Sequence, residues 1–166
     1  MLVIANPAGV GKTSTANELS NQLRADGVAH AVVETDALDD VYPVPDQQWR
    51  LTERNLAFVW QGYRELGARR LIVTGVYLHD ERELAWLLRA TGARDPILVR
   101  LAADGDTLAE RVRRREIGSA AEAQLARTLG QVDRLDAQGD VAVVIETSGR
   151  SVADVAHEIL ALLDWR

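Results

Sequence analysis

The chain has 166 residues, no cysteine and a formal net charge of −6. A domain of this length can bury roughly two thirds of its unfolded surface in a single core. The lack of cysteine excludes disulfides, thiolate metal sites and a cysteine nucleophile, and the acidic charge argues against a general nucleic-acid binder.

The first residues argue against a targeting segment. The apolar stretch from Met1 to Ala5 is too short for a signal peptide and has no basic region before it. The sequence also contains no run of about 18 apolar residues that could span a membrane. We therefore expect a cytoplasmic protein with neither membrane nor nucleic acid among its partners.

Apolar runs rich in branched residues alternate with segments of helical period along the chain. The predicted strands are residues 2–5, 30–35, 70–76, 96–102 and 140–146. The predicted helices are residues 12–25, 48–66, 80–91, 106–116, 119–136 and 151–163. This alternation is typical of an α/β protein in which helices cover a parallel sheet. No repeat or linker interrupts it, which predicts one domain over residues 1–166.

Several predicted helices begin with a capping signal, a polar residue followed three positions later by an acid. The pairs are Asp80 with Glu83, Thr107 with Glu110, Ser119 with Glu122, and Ser151 with Asp154.

Residues 6–13, Asn-Pro-Ala-Gly-Val-Gly-Lys-Thr, follow the first predicted strand and open the first predicted helix. This is the context that a phosphate-binding loop requires. Glycine permits the dihedrals by which successive N–H groups turn toward phosphates, and the helix N-terminus adds its dipole. Lys12 is expected on the β- and γ-phosphates of ATP and the Thr13 hydroxyl on Mg²⁺. The predicted nucleotide-binding residues are Pro7, Ala8, Gly9, Val10, Gly11, Lys12, Thr13 and Ser14.

Two features of this phosphate loop are unusual. Lys12 is the only lysine among the 19 basic residues, at the position where a compact ammonium group suits a phosphate. Asn6 stands where the usual pattern begins with glycine, although asparagine tolerates left-handed dihedrals better than most residues. The alternative interpretation is a glycine-rich turn that caps a helix without a ligand.

The second predicted strand ends in two acids, Glu34 and Asp36. Strand alternation places both on one face at the carboxyl edge of the sheet, where open α/β folds bind ligands. We expect Glu34 in the Mg²⁺ shell and Asp36 as a general base or a substrate-positioning group. The alternative is that Asp36 caps a turn with Asp39 and Asp40. The third strand ends without an acid, which disfavours an ATPase.

A group of arginines lies in the predicted helix at residues 106–116. Arg111, Arg114 and Arg115 are three and four positions apart and so lie on neighbouring parts of its surface. Arginines so placed can stabilise the charge of a transferring phosphoryl group. The alternative is a solvated basic face paired with Glu110 and Glu116.

All aromatic residues except Trp165 lie between Tyr42 and Trp86. Such rings suit a pocket for an apolar or aromatic acceptor. Phe58 and Tyr63 have an equal claim to be core residues of the second predicted helix.

These motifs resemble the P-loop small-molecule kinases of the adenylate, shikimate and gluconate kinase group. Residues 6–13 are similar to the phosphate loop of the group, and Glu34-Thr-Asp36 resembles the paired acids of shikimate kinases. Leu108-x-x-Arg111-x-x-x-Arg115 matches the beginning of the lid, where the first arginine stacks on adenine and the second contacts phosphate. Residues 145–151 resemble the adenine loop, which implies nucleotide contacts from Gly149 and Arg150.

The resemblance implies a three-layer P-loop NTPase fold, with five parallel strands in the order 2-3-1-4-5, helices on both faces and a short lid at about residues 111–127. It further implies an ATP- and Mg²⁺-dependent kinase that phosphorylates a hydroxyl of a small molecule, with Lys12, Asp36, Arg111 and Arg115 as catalytic residues. A nucleoside or nucleotide kinase is one alternative. Another is an ATP-binding regulatory or antibiotic-resistance protein with slow turnover, because chloramphenicol phosphotransferases and tunicamycin-resistance proteins are similar in size and layout.

Overall fold

A computed structural model describes residues 1–5, 9–75, 81–115 and 142–165. Its strands are β1 (Leu2–Ala5), β2 (His30–Glu34), β3 (Arg70–Thr74), β4 (Ile97–Ala102) and β5 (Val143–Glu146). Its helices are α1 (Lys12–Ala25), α2 (Gln48–Glu65), α3 (Glu81–Thr91), α4 (Gly105–Arg115) and α5 (Val152–Ala161), and a 3₁₀ helix (Thr35–Ala37) follows β2.

The five strands form one sheet in the order β2-β3-β1-β4-β5, and every neighbouring pair is parallel. The predicted α/β class and the predicted strand order are therefore confirmed. Because β1 is central, the phosphate loop that follows it begins at the middle of the carboxyl edge. The carboxyl ends of the other four strands lie along the same edge.

The helices cover both faces of the sheet, and each face has its own apolar cluster. Alternation along β1 divides its side chains: Leu2 and Ile4 belong to the cluster under α1 and α5, whereas Val3 belongs to the cluster under α2 and α3. All residues of β1 are buried, as expected for a parallel strand covered on both sides. The two layers thus enclose the strand that leads into the phosphate loop.

Two strands end earlier than the sequence predicts. β2 ends at Glu34 rather than at residue 35, because Thr35 begins the 3₁₀ helix and its hydroxyl donates to the Thr74 carbonyl (3.0 Å). β3 ends at Thr74 rather than at residue 76, because Gly75 takes a φ of 85°. Asp36 therefore lies outside β2. The prediction that strand alternation places Asp36 on the same face as Glu34 is wrong.

The helix starts agree with the sequence in one case and differ in another. Ser151 caps α5 as predicted, because its Oγ accepts the N–H of Asp154 (3.1 Å). Thr107 does not cap α4. The cap is Asp104, whose Oδ1 accepts the N–H of Thr107 (2.7 Å), and α4 begins at Gly105. The predicted helix at residues 119–136, its cap at Ser119 and the cap at Asp80 lie outside the described residues.

The aromatic side chains separate into buried and exposed sets. Trp60 and Trp86 are buried in the cluster under α2 and α3. Of the two interpretations of Phe58 and Tyr63, the one that makes them core residues is wrong, since Phe58 is 79% exposed and Tyr63 39%. The helical period of α2 carries Leu56 and Trp60 inward and leaves Phe58 outside. In the described ranges, no helix has both the length and the apolar character to cross a membrane.

One pair of leucines tests this assignment of core and surface. Leu19 is fully buried in α1, whereas Leu66 after α2 is 87% exposed. Leu19→Ala should lower the free energy of unfolding by about 2–5 kcal/mol, because it removes buried methyl groups and leaves a cavity. Leu66→Ala should change it by less than about 0.5 kcal/mol. Urea denaturation followed by circular dichroism measures both, and equal losses would contradict the assigned burial.

Candidate functional site

The phosphate loop enters α1 through two glycines with positive φ, 90° at Gly9 and 100° at Gly11. Gly11 occupies the N-cap position of α1 and, as a glycine, has no side chain with which to cap the helix. Helix N-terminal N–H groups without a protein acceptor favour an anion. Lys12 and Thr13 are the first two residues of α1 and lie at this end of the helix.

A cavity of about 430 Å³ opens at this end of α1. Residues 9–15 form one wall, Glu34 and Asp36 another, and Arg111, Thr147 and Arg150 a third. Every predicted site residue whose side chain is described lines this cavity, except Gly149. Pro7 and Ala8 lie outside the described residues, as do residues 116–127 of the predicted lid and the side chain of Arg115.

Thr13 and Glu34 both line the cavity and are hydrogen-bonded to each other. The Thr13 hydroxyl donates to Glu34 Oε1 at 2.9 Å. These are the two side chains that the sequence assigns to a metal, and α1 and β2 place their oxygens side by side.

Asp36 lies in the 3₁₀ helix rather than on β2. The turn is closed by the N–H of Leu38, which donates to the Thr35 carbonyl (2.9 Å). Asp39 contacts a different element, because its Oδ2 accepts the Thr52 hydroxyl of α2 at 2.6 Å. Asp36 therefore reaches the cavity through the turn, while Asp39 anchors the start of α2.

Arg111 joins the phosphate loop to the loop after β5. Its Nη1 donates to the carbonyl of Val10 (3.2 Å) and to Thr147 Oγ1 (2.9 Å), and its Nη2 donates to the Thr147 carbonyl (3.1 Å). The alternative of a solvated basic face does not describe this residue. Its guanidinium group connects three segments of the wall.

Thr147 is a residue of the wall that sequence reasoning missed. It is 4% exposed, its hydroxyl donates to the Ala102 carbonyl (3.0 Å), and its N–H donates to the same oxygen (2.7 Å). The available signal was a threonine directly after the acid that ends β5. Short polar residues at that place fix the loop to the neighbouring strand.

Arg150 lines the cavity with its charge already paired. Its Nη1 lies 2.6 Å from Glu158 Oε2 and donates to the Glu146 carbonyl (3.1 Å). Gly149, next to it, has a φ of 67°, so the turn that presents Arg150 depends on glycine at that place.

Solved structures resemble the chain over nearly its full length, while no protein-family profile and no curated protein matches it. The tunicamycin resistance protein of Deinococcus radiodurans has a TM-score of 0.68 at 23% identity, over 99% of this chain and 96% of that one. A gluconokinase from Sinorhizobium meliloti 1021 has a TM-score of 0.61 at 21% identity, over 96% and 89%. Shikimate kinase from Acinetobacter baumannii, in complex with shikimate, has 0.59 at 19%, over 97% and 90%.

The chain has the fold of the P-loop kinases. This likeness agrees with the strand order and with the position of the phosphate loop between β1 and α1.

In this P-loop kinase fold, Asp104 ties the start of α4 to the loop after β5. Its N–H donates to Ser148 Oγ (2.9 Å), and its carboxylate accepts the N–H and the hydroxyl of Thr107. Hydrogen bonds lower the pKa of Asp104 from 3.8 to about 2, and the bond with Ser148 has the largest effect, ahead of those with Thr107. The ionised carboxylate therefore stabilises the junction between α4 and this loop.

The lowered pKa of Asp104 predicts a pH dependence of stability. A carboxyl group with a lower pKa in the folded state stabilises the fold above its unfolded pKa, and the contribution is lost as the pH falls from about 4 toward 2. Asp104→Asn should therefore lower the melting temperature at pH 6, and its difference from the wild type should shrink toward pH 3. Ser148→Ala should weaken the same dependence. A constant difference from pH 6 to pH 3 in thermal melts would contradict the assignment.

Proposed function

We propose that the chain is a kinase that uses ATP and Mg²⁺ to phosphorylate a hydroxyl group of a small molecule. The observation that carries the proposal is a shared cavity. The first turn of α1, with Lys12 and Thr13, lies in one cavity with the carboxylates of Glu34 and Asp36. An ATP-dependent activity also fits the cytoplasmic location expected from the sequence.

The donor nucleotide would bind by its phosphates at the first turn of α1. The N–H groups of residues 9–14 and the Lys12 ammonium group are the donors on this wall. Pro7 and Ala8 complete the same loop in the sequence. Gly149 and Arg150 are proposed to contact the nucleotide from the opposite wall, because Arg150 lines the cavity beside Thr147.

The oxygens of Thr13 and Glu34 fit a magnesium ion. Mg²⁺ prefers oxygen ligands and in nucleotide sites is held by one or two side chains together with substrate phosphates. The 2.9 Å separation of the Thr13 hydroxyl and Glu34 Oε1 supplies one neutral and one anionic oxygen at one place. When bound, the ion would supply positive charge to the phosphate oxygens.

Asp36 is proposed as the general base. Its carboxylate would take the proton of the acceptor hydroxyl as that oxygen forms a bond to the γ-phosphorus. The bond between the γ-phosphorus and the bridging oxygen breaks at the same time, and ADP leaves with the electron pair. This role is supported by the place of Asp36 in the lining of the cavity that Lys12 and Thr13 also line.

Arg111 and Arg115 are proposed to stabilise the charge of the transferring group. Arg111 lines the cavity and is held by Val10 and Thr147. Arg115 lies four residues later on α4, so both would face the same side of the helix. The first would act from a fixed position, because its hydrogen bonds set its direction.

The acceptor is proposed to carry an apolar or aromatic part. Exposed apolar and aromatic side chains follow Asp36 in the sequence, with Tyr42 93% exposed, Val44 61% and Trp49 41%. The base of this segment is fixed, because Asn55 Nδ2 donates to the Leu38 carbonyl (2.6 Å) and Thr52 binds Asp39. A segment that is held by hydrogen bonds at Leu38 and Asp39 and carries exposed apolar side chains suits the recognition of such a molecule.

A slow ATP-binding resistance protein is the second candidate function. It is favoured by the likeness to the tunicamycin resistance protein of Deinococcus radiodurans, which extends over nearly both chains. A nucleoside or nucleotide kinase remains a variant of the first proposal, with a base in place of the apolar group.

The proposal is tested with purified protein, labelled ATP and Mg²⁺ over a panel of alcohols. The panel pairs apolar alcohols with polar ones, namely sugar acids and nucleosides, and includes tunicamycin. A phosphorylated product supports the kinase, and its identity gives the acceptor class. Tight binding of ATP without transfer to any alcohol would reject the kinase in favour of the resistance protein.

Lys12→Ala should weaken the binding of Mg-ATP about 10- to 100-fold, because a charge-assisted hydrogen bond contributes about 1.5–3 kcal/mol. Calorimetry gives the dissociation constant. Arg24→Ala is the matched control, since it removes one positive charge from the exposed far end of the same helix. An equal loss of affinity in both variants would indicate an effect of overall charge rather than a phosphate contact by Lys12.

Asp36→Asn should lower kcat by about 10²- to 10⁴-fold, the range for loss of a general base. The affinity for ATP should stay within about threefold, because the substitution leaves the first turn of α1 unchanged. Asp95→Asn is the control, since Asp95 is exposed before β4 at the opposite edge of the sheet. If ATP affinity collapsed in Asp36→Asn instead, Asp36 would belong to the nucleotide site.

A further inference from the structure

We infer that Thr35 and Gly75 are positioning residues for Asp36 and fix the place of its carboxylate. The inference rests on the proposed function, in which Asp36 is the general base. Neither residue lines the cavity, and both act through contacts with the turn that carries Asp36.

Thr35 ties the start of the turn to the neighbouring strand. It is 3% exposed, and its hydroxyl donates to the carbonyl of Thr74 at 3.0 Å. The last register pair of β2 with β3 is Glu34 with Thr74. The threonine hydroxyl therefore continues the attachment of the two strands by one residue, after the backbone has left the sheet.

Gly75 provides the space in which Asp36 lies. A β-carbon at this place would be 2.9 Å from Asp36 Oδ1, 3.0 Å from the Asp36 backbone nitrogen and 2.6 Å from Thr35 Oγ1. All three distances are shorter than an ordinary contact, and one involves backbone that cannot rotate away. The φ of 85° also favours glycine over other residues.

The bond of Thr35 to Thr74 and the close approach of Gly75 both limit the position of Asp36 on the side of β3. Oδ1 lies 2.9 Å from the place that a β-carbon of residue 75 would occupy, and the same side chain lines the phosphate cavity. The carboxylate thus occupies the gap between the end of β3 and the cavity. A general base must lie within hydrogen-bond reach of the proton that it takes, so a shift of this group should affect the rate more than the binding of ATP.

The first test replaces the Thr35 hydroxyl. Thr35→Val keeps the shape and removes the donor to Thr74, whereas Thr35→Ser keeps the donor. With the acceptor identified by the panel, or with water when Mg-ATP is supplied alone, Thr35→Val should lower kcat about 10- to 100-fold. Thr35→Ser should stay within about threefold of the wild type, and KM for ATP should be unchanged in both. An equal loss of rate in both variants would overturn the role of the hydroxyl.

The second test uses a pair of glycines that differ in their surroundings. Gly75→Ala introduces the close contacts with Asp36, whereas Gly67→Ala adds a methyl group at a φ of 97° with no atom within 4 Å. Both variants carry backbone strain, so the comparison isolates the contact. Gly75→Ala should lower kcat at least about tenfold more than Gly67→Ala. Equal rates in the two variants would overturn the role of Gly75.

A structural measurement separates this inference from the proposed function. Crystal structures of Thr35→Val and Gly75→Ala should show the Asp36 carboxylate displaced from its wild-type position, while the first turn of α1 stays in place. An unmoved carboxylate overturns the inference, whether or not the protein proves to be a kinase. A displaced carboxylate supports it even if no acceptor is phosphorylated, in which case only the assignment of a base fails.

Discussion

The parallel pairing of β1 with β3 and β4 is the constraint on which the rest of the site depends. Parallel strands end at the same edge of a sheet, so the segments that follow β1, β2 and β5 must meet there although they are far apart in sequence. The phosphate loop begins at the centre of that edge. Glu34 at the end of β2 and Asp36 after it lie on one side of that edge, and Thr147 after β5 lies on the other.

Hydrogen bonds to backbone carbonyls give this edge its shape. Arg111 binds the carbonyls of Val10 and Thr147, and the Thr35 hydroxyl binds that of Thr74. Arg150 likewise binds the carbonyl of Glu146. Arg111 and Arg150, which both line the cavity, thereby hold neighbouring backbone in place in addition to carrying positive charge. An arginine whose forked donors are already engaged is held in one direction, which is suited to a site that must bind a highly charged ligand without rearranging.

Much of the architecture could be predicted from the sequence, because buried parallel strands require runs of branched apolar residues and helices over them require apolar stripes. Residues 9–13, Glu34 and Asp36 could be found for the same reason, since each follows or ends such a run. The turn at Thr35, the cap at Asp104 and the space beneath Asp36 at Gly75 could not. The turn at Thr35 and the space at Gly75 depend on contacts between segments distant in sequence, and local periodicity contains no information about such contacts. The cap at Asp104 is a local bond to Thr107, but no acid stands three positions after Asp104, so it lacks the signal by which the other caps were predicted. The sequence left Phe58 open between core and surface, because aromatic character alone does not determine which face of a helix is covered.

Gly9 is subject to two separate demands. Its φ of 90° shapes the phosphate loop, and a β-carbon there would approach Val112 of α4 to 3.1 Å. Helix α4 also holds the loop through Arg111 and Val10, so residues 9 and 10 of the phosphate loop take part in the packing against α4 in addition to lining the cavity. A descendant of this protein that had lost every use for a nucleotide would therefore still be expected to keep glycine at position 9, and that residue alone would be a poor marker of retained activity.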